Sequence, residues 1–326
     1  MFRKSLPGFA VLVWCAVAAF GQSDPGVAGT SAKGGPVPLY RVTVVEHGID
    51  SVNYKYDSAP TKIDFRGTVL LPDAKGEASV QPHTGHTEID AKFENLTPPT
   101  RYGREYLTYV LWAISPEGGS RNLGEIVPDA SNRARLRVTT DLQAFGMIVT
   151  AEPYAAVRQP SDVVTLENRV RSDTAGKIQQ IQPKSELMPR GHYTWQVPEQ
   201  SQSAASVPKV SMDRYEALLE LYQAQNAVAI AQAARAEQYA PDAFAAAQRA
   251  LSEAQRLNAN KGNTKLVVQN AREAAQSAED ARAISERRQE EEQLTGANRA
   301  HAQADAQATD RQSHESSANA PDSPRN

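Results

Sequence analysis

Two histidines three residues apart are the only close pair of histidines in the sequence. They are His83 and His86, in the segment VQPHTGHTE, and Glu88 and Asp90 follow them. Imidazole nitrogens bind transition metals, and a carboxylate can complete such a ligand set. The pair does not belong to an HExxH helix, and its neighbours are typical of a polar loop that enters a strand. We therefore keep the two histidines as candidate metal ligands and predict no bound metal or other cofactor.

The rest of the sequence offers no grouping typical of catalysis. It contains no GxSxG, no P-loop and no GxGxxG after a strand. The acidic side chains of the helical segments are expected on solvated faces. The net charge of -3, from 35 basic and 38 acidic residues, gives no electrostatic basis for binding nucleic acid. We predict a protein that is not an enzyme.

The N-terminal segment has the pattern of a secretory signal peptide. Arg3 and Lys4 precede an apolar run over residues 9–20, and the segment Ala19-Phe20-Gly21 offers small residues just before Gln22. The run is shorter than the roughly 20 apolar residues of a membrane-spanning helix. We predict a cleaved signal at residues 1–21, no membrane span in the mature chain, and a periplasmic or cell-envelope location. The alternative is that the segment is retained as an anchor.

Composition divides the mature chain into segments of different character. Residues 22–38 and 172–210 are rich in Gly, Pro, Ser or Gln and read as linkers. Residues 39–171 are rich in Val, Thr and Tyr and predict a β domain, whereas residues 211–294 are alanine-rich and predict a helical domain. Residues 295–326 are polar and are predicted to be a disordered tail. The expected fold class is therefore α+β with more than one domain.

The β segment predicts a two-sheet antiparallel sandwich of the immunoglobulin or fibronectin type. Turn residues recur every 8–12 positions, as is typical of such sandwiches. The run 87–93 alternates cleanly, with Ile89, Ala91 and Phe93 expected to point inward. The run 105–114 is apolar on both faces, with Trp112 on one of them, which indicates a central strand.

The segment LTPPTRY, which precedes that central strand, has the form of a tyrosine corner. In such a corner a phenol hydroxyl donates to backbone a few residues upstream and fixes the crossing between two sheets. Tyr102 is the expected phenol, with Leu96 and Pro98 beneath it.

The alanine-rich segment predicts three helices, over residues 212–239, 241–258 and 264–294, with Gly296 ending the third. Short connections make neighbouring helices antiparallel, so the segment forms a helical hairpin or a three-helix bundle. Small residues on the second and third helices predict two stripes that face each other at close range. The larger side chains expected in the core are Leu219, Tyr222, Phe244 and Leu251.

Two stretches resemble known families. YVLWAISPEGGSRNLGEI resembles the C-terminal sandwich domain of anti-sigma-K-like factors. That resemblance implies a sandwich but not the regulatory role, because the spanning helix and the cytoplasmic domain of those factors are missing here.

A second resemblance covers the helical segment. AEQYAPDAFAAAQRALSEAQRL and AREAAQSAEDARAISERRQEEEQL resemble a family of alanine-rich helical bacterial cell-envelope domains without assigned function. Members are often followed by an OmpA-like peptidoglycan-binding domain. The residues that such a domain uses are absent from this sequence, so direct wall binding is not implied.

These observations predict an exported, non-enzymatic cell-envelope protein that acts as a structural, docking or interaction module. Its expected partner is an unknown envelope protein or wall component, and self-association through the helices is a further possibility. One alternative is a periplasmic carrier or chaperone-like protein whose helical hairpin binds apolar segments. The other is a metal-dependent enzyme centred on His83 and His86.

Overall fold

The computed structural model describes residues 49–54, 60–174, 177–181 and 211–318. The predicted signal peptide, the linker over 22–38, most of the linker over 172–210 and the last eight residues of the chain lie outside these ranges.

Ten strands are present in the described residues. They are β1 (Ile49–Asn53), β2 (Thr61–Gly67), β3 (Lys75–His83), β4 (His86–Glu94), β5 (Thr108–Ile114), β6 (Ser120–Ile126), β7 (Ala134–Thr140), β8 (Ala144–Glu152), β9 (Val164–Val170) and β10 (Lys177–Ile181). The last of these lies inside the segment predicted to be a linker. The β3 strand was not predicted, because its sequence KGEASVQPH is too polar to show a clear alternation.

The strands pair antiparallel in the order β10-β1-β8-β9-β2-β3-β4-β7, with β5 added to β8 and β6 added to β5. β6 also contacts β7, so the sheet curves into a nearly closed barrel. The α+β class is confirmed: an antiparallel sheet is followed by helices at the C-terminal end of the chain.

The central position predicted for β5 is confirmed, because every residue of this strand is buried. Tyr109, Leu111 and Ala113 point into the barrel, whereas Val110, Trp112 and Ile114 point outward and pack against the helices. The β4 strand, which precedes β5 in the chain, alternates as predicted, with Ile89, Ala91 and Phe93 buried in the barrel. Strict alternation would place Tyr106 on the same face as Trp112, but Tyr106 lies in the barrel core. It precedes the first residue of β5, so the strand alternation does not reach it.

Four helices follow the sheet: α1 (Met212–Ala233), α2 (Ala236–Tyr239), α3 (Pro241–Ala259) and α4 (Thr264–Ala318). The first predicted helix is divided in two because Arg235 has a left-handed backbone, with φ 62°. Ser211 caps α1 by accepting a hydrogen bond from the Arg214 amide.

Two predictions about the end of the chain are wrong: Gly296 does not end the last helix, and residues 295–318 are helical, where a disordered tail was predicted. α4 runs through both positions. A single glycine in an exposed helix costs about 1 kcal/mol relative to alanine, which the many alanine, glutamine and glutamate residues around it offset.

The predicted close-packed stripes are present. Ala247, Ala250 and Ala254 of α3 are buried in the same cluster as Ala271, Ala274 and Ala278 of α4. The same cluster includes side chains from the outer face of β5, and also from β8 and β9. All described residues belong to one compact unit, so the barrel and the helices share a core.

Candidate functional site

The predicted tyrosine corner is built differently from the sequence expectation. The Tyr102 hydroxyl donates to the Leu70 carbonyl at 3.2 Å, far upstream in the chain. The phenol that returns to the LTPPTRY segment is Tyr109, which donates to the Thr97 carbonyl at 2.6 Å. The reason is the short 3-10 helix at Pro99–Tyr102, which places Tyr102 beside the loop after β2.

The other predicted core side chains divide by burial. Leu96, Trp112 and Phe244 are buried, and Leu219 and Leu251 are half-buried. Two predictions are wrong. Pro98 is exposed, and its neighbour Pro99 takes the buried position at the start of the 3-10 helix. Tyr222 is 51% exposed, because the buried face of α1 carries the alanines at positions 217, 224 and 227.

The two candidate metal ligands lie in a tight hairpin and not in an irregular loop. His83 ends β3, His86 begins β4, and the two residues are directly opposite each other in the ladder. Their rings stack with centroids 4.9 Å apart and planes 18° apart. In the part of the chain that the structure describes, no three His, Cys, Asp or Glu side chains already converge as a metal site.

A cluster of buried polar side chains joins the barrel to the helices. The loop after β8 carries Tyr154, whose hydroxyl donates to Glu279 of α4 at 2.6 Å. Next to it, the Ala155 amide donates to Gln223 of α1 at 2.6 Å, and the Arg158 amide donates to Glu279 at 3.0 Å. We call Tyr154, Gln223, Glu279 and Arg282 the polar joint.

An ion pair lies at the centre of the polar joint. Arg282 donates from two nitrogens to the two oxygens of Glu279, each at 2.7 Å, and from a third to Glu286 at 2.7 Å. The exposed fractions of the side chains are 1% for Glu279 and 4% for Arg282. Burial alone would lower the pKa of Arg282, but its hydrogen bonds to Glu279 and the charge of that carboxylate raise it well above its usual value. Burial, together with the same carboxylate, raises the pKa of the Tyr154 phenol.

A second buried carboxyl, Glu152, ends β8 beneath the joint. One of its oxygens accepts hydrogen bonds from the Thr150 hydroxyl and the Ser161 amide, and Thr150 in turn accepts from the Trp112 indole at 2.8 Å. The other oxygen has no hydrogen-bond partner in the structure. Burial raises the pKa of this carboxyl to about 8, so it is protonated at neutral pH.

A third buried carboxyl links α1 and α4. Glu220 accepts from Arg272 at 2.6 Å. Burial and the nearby charge of Glu125 raise its pKa to about 7. Glu125 itself lies on β6 and accepts from Gln223 at 2.6 Å, so this group is continuous with the polar joint.

Carboxyls with raised pKa values are typical of acid–base sites as well as of buried structural networks. The two carboxyls with raised pKa values, Glu152 and Glu220, are both buried by protein in this conformation. An open groove of about 690 Å³ lies instead between the starts of α1 and α4 and is lined by side chains that include Asp213, Glu216, Lys265 and Arg272. The arrangement of the joint therefore favours structural coupling of barrel and helices.

Sequence reasoning missed the polar joint. It placed the acidic residues of the helices on solvated faces, but Glu220 and Glu279 are buried. The sequence contains one indication of the joint. Glu279 and Arg282 are spaced i, i+3, and each directly follows an alanine of the buried stripe, Ala278 or Ala281. The partner Tyr154 lies 125 residues away in sequence and could not be assigned without the fold.

The chain matches no protein-family model and shows no significant match to a curated protein sequence. Among the described residues, no helix combines the length and the apolar character that crossing a membrane requires.

Proposed function

We propose that the protein is an exported, non-enzymatic cell-envelope protein that acts as a structural or docking module. The proposal takes its location from the signal-like N-terminus and from the resemblance to alanine-rich envelope helices. Within it, the β part is a rigid domain that we group with immunoglobulin-like sandwiches. The helices form a spacer that carries a surface for an envelope protein, a wall component or a second copy of the chain.

One observation supports this proposal above the others. Every residue from 290 to 312 of α4 is exposed, over a length of about 35 Å at 1.5 Å per residue. We call residues 290–312 the arm. Leu294, 63% exposed, is its one large aliphatic side chain, and the remaining residues are alanine, glycine or polar. A helix that is polar on all sides is typical of a bridge between bodies, because it gains little from packing on its own domain.

The root of the arm is held firmly, as a bridge requires. The Tyr239 hydroxyl donates to Glu292 at 2.6 Å, and Gln289 donates to the Ala234 carbonyl at 2.9 Å. These contacts fix the direction in which the arm leaves the helices. A force or a partner acting on the arm would therefore be transmitted to the body of the protein.

Site-specific photocrosslinking in intact cells tests this function. A photoreactive residue at Ala304, in the arm, should give a crosslinked adduct with an envelope component or with a second copy of the chain. The matched control is the same residue at Ser252, an exposed position on α3. No adduct from Ala304, or equal adducts from both positions, would count against the arm as the docking surface.

The location is tested separately by N-terminal sequencing of the protein purified from its own cells. Export with cleavage predicts a mature chain that begins at Gln22. A chain that still begins at Met1 in a cytoplasmic fraction would contradict export.

A further inference from the structure

The β3–β4 hairpin fixes two histidine side chains on one face of the sheet. Only Thr84 and Gly85 connect the strands, and Gly85 has φ 87°, a left-handed backbone that glycine adopts readily. Because His83 and His86 are directly opposite in the ladder, their side chains must point to the same side. The stacked rings, 4.9 Å apart, follow from that register.

The carboxylates near this pair have different roles. Glu88 lies two residues beyond His86, hence on the same face, and one of its oxygens is 3.7 Å from Nε2 of His83. Asp90, one step further, is held by Arg135 and Arg137 of β7. That ion pair engages Asp90, so Glu88 is the carboxylate available to the histidines.

We propose that the hairpin tip binds one divalent transition-metal ion of the class that prefers imidazole, with His83 and His86 as its two protein ligands. Both side chains are on the surface, so an ion reaches them without any opening of the fold. Modest rotation of the exposed rings brings one nitrogen of each to the same ion, and water fills the remaining positions. Glu88 orients His83 and adds negative charge beside the ion, as carboxylates do for histidine ligands.

Calorimetric titration of the full chain with Zn²⁺ tests the proposal. One ion should bind per chain. His83→Ala and His86→Ala should each weaken binding by roughly 10²-fold, because each removes the advantage of two ligands held together. The double variant, which keeps neither imidazole, should show no saturable binding at the hairpin. Glu88→Gln should cause a smaller loss.

His301→Ala is the matched control, since His301 is exposed on the arm and stands apart from the hairpin. It should leave Zn²⁺ binding unchanged, and circular dichroism should show all the variants folded. The proposal is overturned if the unsubstituted chain shows no saturable binding. It is also overturned if the His83 and His86 variants bind as the unsubstituted chain does, or if the His301 variant loses as much affinity as they do.

Discussion

At the Glu279 carboxylate, donors from two parts of the molecule converge: the Tyr154 hydroxyl and the Arg158 amide from the barrel, and the Arg282 guanidinium from its own helix. Hydrogen bonds from this many donors offset the free-energy cost of burying the carboxylate. Its neighbour Arg282 depends on it, because a guanidinium that is 4% exposed cannot recover its hydration from solvent.

Replacing Glu279 with alanine should therefore be strongly destabilising. Removing one partner of a buried ion pair costs about 3–5 kcal/mol, and Arg282 would keep only the partly exposed Glu286 as a counter-charge. Urea unfolding measures the free energy of unfolding. Glu273→Ala, at an exposed position on the same helix, is the matched control and should change it by no more than about 0.5 kcal/mol. Equal effects of the two substitutions would show that the joint does not stabilise the fold.

The buried Glu152 carboxyl predicts a pH dependence of stability. Its pKa is about 8 in the folded protein, raised from 4.5 by burial. The folded state therefore holds a proton that the unfolded state loses, and stability decreases as the pH rises between those two values. Glu220, with a pKa of about 7, acts in the same direction. The free energy of unfolding should be largest near pH 5 and fall towards pH 9, by at most about 1.4 kcal/mol per unit of pKa shift.

Glu152→Gln separates the two contributions. The substitution removes the titrating group while keeping its shape. The decrease between about pH 7 and pH 8, which belongs to Glu152 alone, should disappear, and the decrease between pH 4.5 and pH 7 should become shallower but remain, because Glu220 still titrates there. Urea unfolding at a series of pH values is the measurement. If stability rises with pH over this range, or if the variant keeps the full slope, Glu152 does not bind the proton in the folded state.

The buried alanine stripes of α3 and α4 form one tightly packed contact, which we call the seam. It brings two helices close because alanine side chains fill the contact. Ala247→Leu should force the helices apart and cost about 1–3 kcal/mol, as overpacking does in dense cores. Gln248→Leu, one position along and exposed, is the control and should be nearly neutral. Thermal unfolding followed by circular dichroism compares them, and equal melting temperatures would contradict a tightly packed seam.

Much of the element level was predictable from local patterns. The β5 strand is apolar on both faces, and that pattern correctly indicated a central strand. α3 begins at Pro241, as predicted, because proline suits the first turn of a helix. The predicted end of α4 is too early, because a single glycine does not end a helix whose surrounding sequence is rich in alanine.

The polar joint was beyond the reach of sequence patterns for a different reason. Periodicity reports which face of an element is apolar, but it does not report what that face contacts. A buried glutamate and a solvated glutamate look alike in sequence until a partner is known. Tyr154 and Glu279 come into contact only because the helices pack on β5, β8 and β9.

The barrel and the helices together form one cooperative body. Both the apolar outer face of β5 and the polar joint make contacts between the barrel and the helices. Two parts that share a core open together, whereas an unpacked segment exchanges its amide hydrogens early. The arm, which is exposed on all sides, belongs to the second kind.

Hydrogen exchange followed by mass spectrometry shows whether the barrel and the helices open together. We predict equal, high protection of the amide hydrogens of β5 and of residues 267–285 of α4, with residues 296–312 exchanging much faster. Tyr154→Phe together with Glu279→Gln should lower the protection of the helices more than that of the barrel. Helices that exchange well before β5 in the unsubstituted protein would contradict the account, because the two parts would then open independently.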